Sequence, residues 1–213
     1  MAISSLASSF CFAWLVYFGI VVSSMFNWTK ELFIVRGLPG EGKSTLALKL
    51  VDGDRRRLVE NDDYWFVPTQ YTSEKMSYAA HQGPYLHQSH LDSFEYRYSR
   101  PLTHLAAQWC GAEAFRRLRL WDKVAVANVF ARREHILGYL EEARKLQVRV
   151  SIHRPQTAWQ GDIEQCHAKN IHGVPTDMLQ KFKEQWEEMT QDEVDVWIGL
   201  PMDLQVARKK YNK

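Results

Sequence analysis

Hydrophobic and polar positions alternate along this chain in blocks. Four short runs, "LFIVRG" (Leu32 to Gly37), "RRRLVE" (ending at Glu60), "KVAVANVF" (Lys123 to Phe130) and "VRVSIH" (Val148 to His153), are compact and apolar and predict buried strands. Between them the period lengthens to that of a helix. "STLALKLV" follows the first run and is broken by Asp52-Gly53-Asp54. Leu102, Leu105, Ala106 and Trp109, then Phe115 and Leu118, mark a second helix, and Ile136, Leu140 and Ala143 a third. Thr157 to Gln160 has the form of a capping box opening a helix with Trp159, Ile163 and Cys166 on one face. Pro175-Thr176 opens the next, with Met178, Phe182, Trp186 and Met189 in line. "VDVWIGL" predicts a last strand and "VARKKYNK" a frayed basic tail. Residues 66–101 show no period and predict loops and short helical pieces over a site. Strands alternating with helices predict an α/β fold with a parallel sheet flanked by helices.

The first 29 residues break the pattern. They carry no charged side chain, and their densest stretch runs from Phe10 to Val22. Such a stretch is near the roughly 20 residues that span a bilayer, so it predicts an N-terminal hydrophobic membrane anchor. A cleaved signal peptide and a peripheral helix stay open as alternatives. Lys30, Arg36 and Arg55 to Arg57 follow it, which places the body in the cytosol by the positive-inside tendency. The expected organisation is thus an anchor over 1–29, a domain over 30–190 with a helical lid at about 155–188, and a C-terminal strand and tail over 191–213.

Composition narrows the picture only a little. Eight tryptophans argue for a packed core. A net charge of +2 is too mild to identify a nucleic-acid partner by itself. Cys11, Cys110 and Cys166 are far apart, and no CxxC suggests zinc or a disulfide framework. The histidines His81, His87 and His90 share a stretch rich in Tyr and Gln but lack ligand spacing.

The chemistry lies in Gly37-Leu38-Pro39-Gly40-Glu41-Gly42-Lys43-Ser44, which satisfies G-x-x-x-x-G-K-[ST] between a strand and a helix. Glycines let successive N–H groups turn inward, and the helix adds its positive end from Thr45 onward. Lys43 suits the β- and γ-phosphates of ATP, and the Ser44 hydroxyl suits Mg²⁺. Glu41 is an awkward neighbour for phosphates. Beyond the second strand, "ENDDYW" offers two adjacent carboxylates. One of the pair Asp62 and Asp63 suits proton abstraction and the other a metal contact through water; a helix cap with a solvated neighbour is the plainer alternative. Arg132 and Arg133 suit either an acceptor phosphate or a solvated helix start, and Arg55 to Arg57 either a solvated turn or a nucleic-acid or lipid contact.

These blocks, together with "HRPQTAWQGDIEQCHAKNIHGVPTDMLQKFKEQWE", resemble the P-loop polynucleotide-kinase-like family. That family takes in the phage 5′-hydroxyl polynucleotide kinases, the kinase-like half of 2′,3′-cyclic-nucleotide phosphodiesterase and NEDD4-binding-protein-2-like ATP-binding domains. The resemblance covers about residues 32–188. It implies a P-loop NTPase-type fold and ATP-dependent transfer of the γ-phosphoryl group to a hydroxyl, the 5′-OH of a polynucleotide or nucleotide. It implies Asp62 as the base, Asp63 beside it on the metal side, Asn128 on the acceptor side and Lys169-Asn170 as the lid pair over the phosphates. Three departures stand out: Ala127 where relatives often carry Asp, Lys169 for Arg, and Trp65 where phage kinases have Arg. They leave open a second expectation, a membrane-anchored nucleotide-binding switch or slow ATPase. For cyclic phosphodiesterase activity the resemblance implies two separate H-x-[ST] motifs, and only His87-Gln88-Ser89 fits in this chain.

Overall fold

The computed structural model describes residues 28–68 and 94–211. The predicted anchor over 1–29 and the histidines at 81, 87 and 90 lie wholly or almost wholly outside the described residues. Among the described residues, no helix is long and apolar enough to cross a membrane.

Four strands form the central sheet: β1 (Glu31–Arg36), β2 (Leu58–Val59), β5 (Lys123–Asn128) and β6 (Arg149–His153). Their order is β2-β5-β1-β6, and every pairing is parallel. A separate antiparallel pair, β3 (Phe66–Pro68) and β4 (Phe94–Tyr96), occupies part of the stretch expected to be loop. The helices are α1 (Lys43–Leu50), α2 (Thr103–Leu118), α3 (Glu134–Leu146), α4 (Ile163–Lys169), α5 (Thr176–Glu184), α6 (Gln191–Ile198) and α7 (Met202–Tyr211).

Alternation along β1 decides the layers. Leu32 and Ile34 join a large cluster with Ala106, Trp109, Ile136, Leu140, Val194 and Ile198, drawn from α2, α3 and α6. Phe33 and Val35 face the other way, toward Ala47 and Val51 of the α1 region. A third cluster, Leu38, Cys166 and Leu179, packs α4 and α5 against the loop after β1. Arg117 ties α2 to the sheet: it pairs with Glu113 at 2.7 Å and donates to the Leu58 carbonyl at 2.6 Å.

Three expectations are corrected. "VDVWIGL" is helical, not a strand. Thr190 and Glu193 form a capping box, Gly199 closes the helix in the left-handed region, and Val194 and Ile198 bury one face while Val196 stays exposed. The basic tail is α7, docked where Arg208 pairs with Asp195 and donates to the Val150 carbonyl. The lid's first helix begins at Ile163, not Thr157, because Asp162 caps it by accepting from the Gln165 N–H at 3.1 Å.

Candidate active site

The ends of β1, β2 and β5 open onto one cavity of about 1520 Å³. The phosphate loop, the turn after β2 and the lid turn all line it, as carboxyl ends of strands do in open α/β sheets.

The loop from Gly37 to Ser44 is set by two left-handed glycines, Gly40 at φ 84° and Gly42 at φ 93°. A Cβ at Gly40 would sit 2.0 Å from the Cys166 carbonyl oxygen, so the backbone of lid helix α4 presses directly on the loop. Lys43 lies back across the loop, donating to the Leu38 carbonyl at 3.0 Å. Burial pushes its ammonium below its ordinary pKa, and the carboxylates of Glu60, Glu41 and Asp62 oppose that shift. Thr45 lines the cavity one residue beyond Ser44.

Glu41 is the residue whose position made least sense in the sequence. Its side chain is fully buried and does not line the cavity. It accepts from the Leu38 N–H at 2.9 Å, from Arg154 at 3.0 Å and from the Gly161 N–H at 2.9 Å. Arg154 then covers one side of the Trp186 ring at 4.0 Å, while Arg36 stands 4.2 Å from the same ring. Arg36 is held in turn by the carbonyls of Phe130 and Glu187, each at 2.7 Å. An acid in the loop is therefore a strut, not a repeller of phosphate.

Ser44 donates to Glu60 Oε1 at 2.5 Å. Sequence reasoning passed over Glu60. The signal was its place as the last residue of the second apolar run, level with the cradle in a parallel sheet. Burial pushes its carboxyl up in pKa, the neighbouring Asp63 adds to that, and Arg55 opposes it. Asp63 has a different place from the one the resemblance implied. One of its oxygens pairs with Arg55 and the other accepts from the Glu60 N–H at 3.1 Å, and it does not line the cavity. The Arg55 to Arg57 run is spent on local carboxylates: Arg55 on Glu60 and Asp63, Arg56 and Arg57 on Asp54.

Asp62 lines the cavity, as Glu60 does and Asp63 does not. Tyr96 donates to its Oδ1 at 2.8 Å, and His172 Nε2 stands 3.4 Å from its Oδ2. Asn128 lines the same cavity, but its side chain fixes the turn: Oδ1 accepts from the Asn61 N–H at 2.8 Å and Nδ2 donates to Cys110 Sγ at 3.3 Å. Lys169 of the lid faces the cavity with Nζ 4.4 Å from the Trp159 ring centre. Arg132 is not brought to the site; it pairs with Glu134 at 3.1 Å at the exposed start of α3. Ala127 is buried in β5 and brings no carboxylate. Trp65 belongs to the core, edge-on to Tyr64 at 4.9 Å.

The residues present fit a magnesium nucleotide. The donor set is hard oxygen, the Ser44 hydroxyl with the partly buried Glu60 carboxylate, beside the glycine loop and one lysine. Among the described residues, no group of three or more His, Cys, Asp or Glu is placed to hold a metal ion.

No family model matches the chain. It is 32% identical over 156 residues to 2′,3′-cyclic-nucleotide 3′-phosphodiesterase of Pongo abelii, covering 72% of this chain and 31% of the relative. It is 30% identical to that of Mus musculus, covering 72% and 30%. NEDD4-binding protein 2 of Homo sapiens is 25% identical over 157 residues, covering 73% of this chain and 8% of the relative. The chain thus spans a third or less of the length of these relatives. A gluconokinase structure from Sinorhizobium meliloti 1021 superposes with a TM-score of 0.44 at 16% identity, covering 86% of this chain and 97% of that one. With its phosphate loop on a parallel α/β sheet, this chain is a homologue of the 2′,3′-cyclic-nucleotide 3′-phosphodiesterases and of NEDD4-binding protein 2.

Proposed function

We propose that the protein is an ATP-dependent kinase that transfers the γ-phosphoryl group to the 5′-hydroxyl of a polynucleotide or nucleotide. The observation that carries this reading is one cavity lined both by the glycine loop with Lys43 and Ser44 and by an accessible carboxylate, Asp62. The Gly37 to Ser44 backbone and Lys43 bind the phosphates. Ser44 and Glu60 hold Mg²⁺, with Glu60 supplying the carboxylate that Ala127 lacks; when bound, the metal neutralises phosphate charge. Asp63 is reassigned from the metal to bracing the Glu60 turn. Lys169 places a cation over the phosphates from the lid.

Asp62 orients the acceptor hydroxyl and takes its proton as the oxygen bonds to the γ-phosphorus and the bond to the ADP oxygen breaks. The test is γ-labelled ATP with Mg²⁺ and a 5′-hydroxyl oligonucleotide. Label should reach the oligonucleotide with wild-type protein and not with Asp62→Asn or Lys43→Ala. Transfer that survives Asp62→Asn contradicts the assignment.

A second reading, a nucleotide-binding switch without transfer, is favoured by the fact that Asp62 already holds Tyr96 and His172. Saturable ATP binding that needs Lys43, with no labelled product, would select it. On either reading the charge-free stretch over 1–29 tethers the protein to a membrane with the body in the cytosol. Recovery of the full chain in a salt-washed soluble fraction would refute the tether.

A further inference from the structure

Two elements converge on the Asp62 carboxylate, which stands on a third. Asp62 stands on the turn after β2, Tyr96 ends β4, and His172 sits in the lid turn between α4 and α5. Tyr96 and His172 each face a different oxygen of the carboxylate, at 2.8 and 3.4 Å, and their rings stack with centres 5.5 Å apart at 29°.

The lid turn is shaped to present that histidine. Asn170 Oδ1 accepts from the His172 N–H at 3.0 Å, Asn170 Nδ2 donates to the Val174 carbonyl at 3.3 Å, and Gly173 takes φ 65° to reverse the chain. Lys169 leads into the same turn and faces the phosphate side. One short segment therefore carries a cation for the donor and an imidazole for the acceptor-side carboxylate.

We infer that His172 is a positioning residue that clasps Asp62 and so couples the docking of the lid to the orientation of the acceptor-side carboxylate. This rests on the kinase reading only for its catalytic consequence; the clasp itself is a matter of structure. A carboxylate offers about four lone-pair positions. Tyr96 occupies one by hydrogen bonding, and His172 Nε2 stands 3.4 Å from the other oxygen, so the two rings restrict the plane of the group and leave room for an acceptor hydroxyl. A carboxylate free to rotate loses the near-attack geometry that positioning supplies.

The experiment uses the full chain and two readouts. In the transfer assay, His172→Ala should lower kcat about tenfold, roughly the value of one positioning contact, with KM for ATP within about twofold. His172→Gln keeps an N–H donor and should recover part of the loss. Unchanged kcat in His172→Ala, or a loss wholly in KM for ATP, overturns the inference.

The second readout needs no activity. Amide exchange across residues 169–174 should quicken about threefold in Asp62→Asn, since the turn loses its anchor. In a His172→Ala background the same change should add nothing. If wild-type protein transfers no phosphate, the kinase reading fails while this pair of results still supports the clasp. Exchange that ignores Asp62→Asn in the wild-type background overturns it.

Discussion

The lid meets the rest of the site in two ways, and its base and tip differ in kind. The base is buried. Glu41 has no exposed surface, takes groups from Leu38, Arg154 and Gly161, and sits beside the Leu38, Cys166 and Leu179 cluster. The tip is open. Ile171 is 90% exposed, Lys169 rests on Trp159, and His172 meets Asp62 through partly exposed side chains. Buried, fully satisfied polar groups hold one geometry, because any alternative strands a charge or an N–H without solvent. Exposed contacts exchange with water at little cost. The molecule thus fixes the base of the lid and holds its tip by weaker, exposed contacts.

Substitutions at the base should do the most damage. Gly40→Ala combines a left-handed φ with a 2.0 Å approach to the Cys166 carbonyl. It should cost about 3 kcal/mol or more and abolish ATP binding, checked by thermal melting and titration. Glu41→Ala strands Arg154 and the Gly161 N–H. It should cost about 2–3 kcal/mol, below the full value of a buried pair because Arg154 is partly exposed, and ATP should melt in as a weaker stabiliser.

The third effect is a pH dependence. Burial holds His153, the last residue of β6 and the one before Arg154, below its ordinary value of 6.5. The unfolded chain then binds the proton more readily than the folded one. Stability is full above about 6.5 and is lost as pH falls through the folded value, by less than about 1.4 kcal/mol per unit. Denaturant melts of His153→Gln should lack that acid loss. At the tip, Lys169→Ala removes an exposed cation–π contact and should cost about 0.5 kcal/mol, while ATP affinity drops several-fold. A tip change as costly as Glu41→Ala would erase the distinction between base and tip.

Much of this site was legible in the sequence because its signals are local. The cradle is eight consecutive residues between a strand and a helix, and the loop takes its shape from its own glycines. Asp62 likewise follows directly on a strand end. What escaped depends on distant partners. Glu41 makes sense only with Arg154 and Gly161, more than a hundred residues away. Glu60 is defined by Ser44, and Asp63 is claimed by Arg55, which looked like a member of a solvated run. The misread strand at 194–200 has another cause. Val194, Val196 and Ile198 alternate as in a strand, yet Val194 and Ile198 also lie one helical turn apart. The capping residues Thr190 and Glu193 decide between the two periods.

The central claim is a division of labour across one cavity: Lys43 and its loop hold the donor, and Asp62 handles the acceptor. The most direct test measures both functions on one protein, Asp62→Asn, by titrating Mg·ATP and by following labelled transfer to a 5′-hydroxyl oligonucleotide. The account predicts ATP affinity within about threefold of wild type and transfer lowered by about a hundredfold or more, the scale of a lost general base. A parallel fall of both, or transfer that persists, would contradict it.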